Sequence, residues 1–247
     1  MTPEIALYVA AGALAGGLIN GLAGFGTALF ALGFFLNVMP PVQAVAVVVV
    51  LSALTGLQGL WIVRHAIGAN KRRLTRFLLP GIMGIPLGVL ALSVLDARSL
   101  KLGVAGFLIL YGGYFSLRTH LPRFERPTPI WDMIVGFSGG VLGGAASLSG
   151  ALPMMWCALR PWPKAETRAV LQPFNVTVLA LTAAALAVKG AYTRETLSYL
   201  ALALPLSIIA AQLGIAIFKR LPDAAFRRLL IAMTFISGAV LLARELV

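Results

Sequence analysis

Two stretches of small residues carry the groups in this chain best suited to chemistry. The first reads Gly16-Gly17-Leu18-Ile19-Asn20-Gly21-Leu22-Ala23-Gly24-Phe25-Gly26-Thr27. The second reads Gly139-Gly140-Val141-Leu142-Gly143-Gly144-Ala145-Ala146-Ser147-Leu148-Ser149-Gly150, with Pro153 close behind. Glycine releases the backbone from helical angles and admits close approach, so each stretch is able to open into a short unwound segment with exposed amide groups. A half-helix restarting after such a break points the partial positive charge of its N-terminus at whatever binds there. An anion is the natural ligand. The candidate binding residues are Asn20, Gly24, Gly26 and Thr27 in the first stretch, and Ser147, Ser149 and Gly150 in the second. The same glycines have a plainer use, because Gly17 to Gly21 and Gly140 to Gly144 have the Gly-x-x-x-Gly spacing of closely crossing membrane helices. Close crossing is the better account of either stretch alone. Two such stretches at matching places in two overlong segments favour the central site of a transporter.

Other polar residues inside apolar segments must find a partner or a watery cavity. Ser52 occupies the place in the first half that Asn175 occupies in the second, and Gln172 lies about one turn before Asn175 on a similar face. Interhelical hydrogen bonding and a site wall account for these three equally well, and they join the candidates. Gln58 and Gln212 have no matched copy and rank lower. Arg168, near a helix start, is better placed to snorkel to headgroups than to attract an anion. All eight acidic residues fall in loops or at segment ends, which disfavours a cation pump or a carboxylate proton relay. Ser149-Gly150 superficially suggests a membrane protease. However, a serine nucleophile needs a base in reach, and the two histidines, His65 and His120, are predicted in cytoplasmic loops. No zinc-protease or nucleotide-binding fingerprint is present, so neither an enzyme nor a cofactor is expected. Cys157 is the single cysteine, which rules out an intrachain disulfide or a thiolate metal cluster.

The elements that hold these residues are apolar. Of 247 residues, 60% are hydrophobic and only 11% charged, far from the composition of soluble domains. Eight apolar blocks run over 5–36, 42–63, 77–95, 102–117, 130–159, 169–188, 197–218 and 229–243. Most are long enough to cross about 30 Å of hydrocarbon as a helix. The first and fifth are about 30 residues long, too long for one simple crossing, and each holds a glycine-rich stretch near its middle. The first begins without cations and runs on past any cleavable length, so it is expected to be retained. A net charge of +12 is dispersed through short loops, which fits cytoplasmic loops meeting anionic headgroups and argues against nucleic-acid binding.

The second half repeats the first. A shift of about 123 residues matches Gly17 with Gly140, Gly21 with Gly144, Pro40 with Pro163 and Ala46 with Ala169. A small drift then brings Pro80 onto Pro205, Lys101 onto Arg227 and Gly112 onto Gly238. Block order, helix length and the places of glycine and proline agree together, as in an internal duplication. The predicted fold class is therefore an all-α polytopic membrane protein of two homologous four-segment repeats. These span residues 1–120 and 130–247, with a cytoplasmic linker at 121–129.

Over nearly its whole length the chain resembles the sulfite exporter TauE/SafE family, also called the toluene-sulfonate uptake permease family. The resemblance rests on a glycine-rich stretch opening each half, Gly21-Leu22-Ala23-Gly24-Phe25-Gly26 and Gly144 through Gly150. Each is followed by an apolar run and a short proline loop, Met39-Pro40-Pro41 and Arg160-Pro161-Trp162-Pro163-Lys164, and then by a small-residue helix. The family's denser glycine run is interrupted here by Thr27 and by Ser147-Leu148-Ser149, and Phe30 or Ala31 stands where the first copy's proline would be. The resemblance implies movement of small sulfur-containing anions, sulfite or an organosulfonate, across a bacterial inner membrane, with export favoured. A permease for another small organic anion is the alternative, and a non-transporting membrane scaffold a weaker one. The implied partners are the anion, the lipid bilayer and, as a possibility left open, a second copy in a homo-oligomer. Hydroxyls from Thr27, Ser147 and Ser149 beside amide-rich turns would suit such an anion.

Basic loops decide the orientation of the copies. Arg64, Lys71, Arg72, Arg73 and Arg76 mark one loop as cytoplasmic, and Arg118, Arg123 and Arg126 mark the linker. Eight plain crossings would put Arg160, Lys164 and Arg168, and then Lys219, Arg220, Arg227 and Arg228, outside. If the first and fifth segments turn back at their glycines, each copy has three crossings, the copies are inverted, and every basic loop lies inside. This arrangement is preferred. It predicts that a thiol-reactive tag after Val247 is labelled from the outside of intact cells; labelling only from the cytoplasmic side would contradict it.

Overall fold

The computed structural model describes residues 2–94, 97–116 and 124–246. Arg118, His120, Arg123 and Val247, named above, lie outside them, as does the acidic residue Asp96. The described residues form ten helices and no strand. In the first half these are α1 (Pro3–Ala23), α2 (Thr27–Phe35), α3 (Pro41–Ala69), α4 (Lys71–Val94) and α5 (Ala97–Ser116). In the second they are α6 (Pro129–Ala146), α7 (Ala151–Ala158), α8 (Lys164–Val188), α9 (Arg194–Arg220) and α10 (Asp223–Leu246). Five of them, α1, α3, α4, α8 and α9, are long and apolar enough to cross a membrane.

Both overlong blocks are split at their glycine-rich stretches, and the chain doubles back at each split. A Cβ on Gly16 would touch Thr27 and Ala31 of α2, and one on Gly12 would touch Phe35, so α2 runs antiparallel to α1. Likewise Gly143 and Gly139 lie against Ser149 and Pro153, and farther along Trp156 Nε1 donates to Asp132 Oδ1 at 2.7 Å. The end of α7 thus returns to the start of α6.

The long basic loop expected between the second and third blocks is almost entirely helix. The third helix continues to Ala69 and only Asn70 separates it from α4, so His65 sits exposed on the last turns of α3 and not in a loop. Lys and Arg are good helix formers, and a helix whose end leaves the hydrocarbon can carry them. Acidic residues have a similar local logic. Glu4, Asp132, Glu166, Glu195 and Asp223 occupy the first turns of α1, α6, α8, α9 and α10, where negative charge opposes the helix dipole.

Helices from the two halves pair. The main contacts set α1 along α9, α4 along α6, α3 along α8 and α5 along α10. Glycine makes the first two pairs possible. A Cβ on Gly21 would lie 2.0 Å from the Ala211 carbonyl oxygen, and one on Gly140 1.8 Å from that of Gly81. Backbones at that distance leave no room for a side chain, as at small-residue membrane crossings. The α3–α8 pair forms the interior: Ala44 to Val49 and Leu51 are wholly buried on α3, and Leu171, Phe174, Val178 and Leu179 nearly so on α8. These two run antiparallel. Gly56 meets Val176 and Gly59 meets Gln172, while Tyr192, just beyond the end of α8, donates to Ala46 O at 3.2 Å near the start of α3.

The basic connections gather on one face. Arg73 on α4 pairs with Glu166 on α8 at 2.8 Å, Arg160 donates to the Arg126 carbonyl at 2.7 Å, and Lys164 donates to the Phe218 carbonyl at 3.2 Å. Asp132, buried at the start of α6, takes Arg160 at 3.5 Å and Arg76 at 3.9 Å.

The crossings give a contrast of sign. Gly140→Ala is expected to lower the thermal midpoint in detergent, by the equivalent of about 1–3 kcal/mol for overpacking. Gly68→Ala, on α3 with nothing within 4 Å of its added Cβ, should leave it unchanged or raise it.

Candidate functional site

The backbone must leave the helix at each break, and it does so by different means. In the first, α1 ends at Ala23 and Gly24 and Gly26 take left-handed φ angles of 83° and 94°. In the second, α6 ends on Ser147 with φ 58°, the one non-glycine residue at positive φ among those described. Its amide donates to Gly143 O at 2.9 Å and that of Leu148 to Leu142 O at 3.1 Å, the paired closure of a helix C-terminus. The next helices, α2 and α7, begin without a side-chain cap. Their N-terminal dipole ends therefore meet no fixed side-chain acceptor.

Side chains from α8 join the two breaks. Ser149 Oγ hydrogen-bonds Asn175 Oδ1, and Asn175 Nδ2 reaches the Gly24 carbonyl at 3.4 Å. One turn earlier Gln172 Nε2 donates to Gly56 O of α3 at 2.9 Å, and its Oε1 accepts from Arg168 Nε at 3.1 Å. A Cβ on Gly24 would lie 2.4 Å from Gln172 Oε1, so only glycine fits there on both conformational and steric grounds. Phe25 closes the gap between the breaks, since a Cβ on Gly150 would come within 2.6 Å of its own Cβ.

Arg168 departs from expectation. It is 1% exposed and does not snorkel. Its guanidinium donates to the carbonyls of Gly21 at 2.8 Å and Leu22 at 3.4 Å and lies 4.2 Å from the Phe218 ring centroid. Those carbonyls belong to the C-terminal turn of α1, the negative end of its dipole, which draws the cation inward. No carboxylate of the described residues pairs with it; Glu166, two residues earlier, is engaged by Arg73. The result is a buried cation beside Gly24 held only by carbonyls, an amide and a ring.

A second polar group lies on the α1–α3 side. Asn20 Nδ2 donates to Ser52 O at 3.0 Å and to Thr55 Oγ1 at 2.5 Å. Among the described residues, four buried side-chain oxygens have no hydrogen-bond partner: Asn20 Oδ1, Thr27 Oγ1, Ser52 Oγ and Ser147 Oγ. Leaving one such group unpaired costs about 1–3 kcal/mol, so four around the breaks stand out.

Of the ten predicted site residues, Gly24, Ser149, Gln172 and Asn175 are directly linked, with Gly150 joined through Phe25. Asn20 and Ser52 form the neighbouring group. Thr27 and Ser147 stand at the two breaks with free hydroxyls, whereas Gly26 faces Ile19 and serves the turn. Phe25 and Thr55 were missed, and Arg168 was weighed but assigned to the headgroups. Thr55 lies one turn from Ser52 on α3, a spacing that could have found it; nothing local marks the other two. The glycines divide by place: Gly17, Gly21, Gly140 and Gly144 make close crossings, and Gly24 and Gly26 make the turn of the first break. Ser149, weighed above as a nucleophile, is bonded to the Asn175 amide, and among the described residues His65 is exposed at the end of α3.

No curated protein and no solved structure matches the chain. The family model for the sulfite exporter TauE/SafE matches residues 8–241, nearly the whole length. With five apolar helices of spanning length, the chain belongs to the sulfite exporter TauE/SafE family of multi-pass membrane transporters.

Proposed function

We propose that the chain exports a small sulfur oxyanion, sulfite or an organosulfonate, across a bacterial inner membrane through a central site between the two helix breaks. The observation that carries this reading is Arg168, a buried guanidinium with no counter-ion among the described residues, bonded to the carbonyls that precede the first break. Burying a cation is costly unless something compensates it, and a bound anion would do so. The hydroxyls of Thr27, Ser52 and Ser147 would donate to its oxygens. Asn20 Oδ1, which can only accept, suits a protonated oxygen of a weak acid, so a proton would travel on the substrate itself.

The topology that goes with this function is a pair of inverted repeats, residues 1–120 and 130–247, joined by 121–129. Three observations support it. The α3 and α8 helices, equivalent in the two halves, run antiparallel; α1 pairs with α9 as α6 pairs with α4; and the basic connections share a face. Each doubled-back hairpin would then enter from its own side and end at the centre, the arrangement of broken helices in transporters with midplane sites.

Every side chain of the central group is buried, so this is a closed form that must open to one side at a time. Labelled sulfite trapped in proteoliposomes should leave through the native protein with saturable kinetics. Arg168→Gln is expected to cut the flux by at least about ten-fold, on the scale of one lost charge-assisted contact. Unchanged flux in Arg168→Gln would remove the central role of this residue, and no sulfur-anion flux in the native protein would remove the substrate class.

A further inference from the structure

Away from the breaks, the basic face holds a cavity of about 320 Å³ walled by three separate pieces of chain: the α3–α4 corner, the linker before α6, and the α7–α8 loop. Arg72, Arg73, Arg76, Arg126 and Arg160 line it, against the carboxylates of Glu125 and Asp132. Internal pairing accounts for some of this charge. Asp132 holds Arg160 and Arg76, and Glu166 holds Arg73, which also rests 4.6 Å from the Trp162 ring centroid. Among the described residues Arg72 and Arg126 have no such partner, and both are exposed at the rim. The floor is rigid: Arg160 is 3% exposed and is fastened to the Phe124 and Arg126 carbonyls at 3.0 and 2.7 Å and to the Thr128 hydroxyl.

We infer that this cavity is a second oxyanion site, distinct from the central one, for a phosphate-type group held by Arg72 and Arg126 over the Asp132–Arg160 floor. Guanidinium groups offer paired donors that match the oxygens of phosphates and sulfonates, and several at one concavity raise the local anion concentration. The volume exceeds what a bare ion fills and admits an oxyanion with a substituent. Ile130 and Trp131, 70% and 57% exposed on the first turn of α6, flank it with an apolar edge of the kind that sits among lipid headgroups. The oxyanion therefore has two sources, a free anion or the headgroup of an anionic lipid. Occupancy would tie the first half, the linker and the second half together at the mouth of the protein.

The test uses the full chain in nanodiscs and the double variant Arg72→Gln/Arg126→Gln, whose native side chains make no hydrogen bond or ion pair with the described residues. In phosphatidylcholine discs, inorganic phosphate is titrated and the thermal midpoint followed; in a second arm, phosphatidylglycerol is added without phosphate. A saturable rise in either arm, weakened about ten-fold or more in apparent affinity by the double variant and retained in Arg168→Gln, is expected. A rise with phosphate assigns a free anion, and a rise with phosphatidylglycerol alone assigns a lipid headgroup. No rise in either arm, or a rise that the double variant leaves intact, overturns the site. Because Arg168→Gln probes the central site separately, failure of either site is visible without the other.

Discussion

A helix that stops in a buried apolar interior leaves carbonyl and amide groups that its surroundings cannot satisfy without specific partners, and this constraint governs the structure at both breaks. At the first, the carbonyls closing α1 are met by Arg168 and that of Gly24 by Asn175. At the second, α6 closes on itself through Ser147 and Leu148, while Ser149 returns to Asn175. One helix, α8, thus supplies the polar groups that let both hairpins end where they do. Satisfying the C-terminal ends in this way leaves the N-terminal ends of α2 and α7, with several unpaired hydroxyls near them, as the least satisfied part of the interior. A buried cation, Arg168, lies beside them, and the proposed anion would supply the opposite charge.

The crossings make that setting possible. Glycine on α1, α4, α6 and α9 brings backbones into contact and leaves the centre to the α3–α8 pair, whose small and branched residues are buried around a few polar ones. Each hairpin is carried mainly by a helix of the other half, α1 by α9 and α6 by α4. Movement of one such unit past the central pair would open the site to one side while the Arg73–Glu166 and Asp132–Arg160 contacts hold the basic face. The link from fold to function is this division between tightly crossed units and a polar seam.

Much of this was legible in the sequence because its signals are local. Block length and the two glycine stretches located both breaks, and the paired positions of Ser52, Gln172 and Asn175 located the helices that face them. Arg168 was misjudged, since snorkelling is inferred from distance to a helix end, whereas its direction depends on α1 terminating beside it, more than 140 residues earlier in the chain. Phe25 escaped notice for a similar reason: its meaning lies in contact with Gly150 of the other break. The α3–α4 corner was read as a loop because charge marks where a helix leaves hydrocarbon and not where it ends. Glycine identity alone could not say which residues cross and which break; their φ angles and neighbours do.

The central claim, that the two breaks form one anion site exposed to each side in turn, is tested most directly by a single thiol at Ser149. In a Cys157→Ala, Ser149→Cys protein, a membrane-impermeant thiol reagent is applied separately to each side of oriented vesicles, with and without an alkyl sulfonate. Modification from both sides, slowed by the sulfonate, is the predicted result. A thiol that reacts from one side only and at the same rate with or without sulfonate would contradict it.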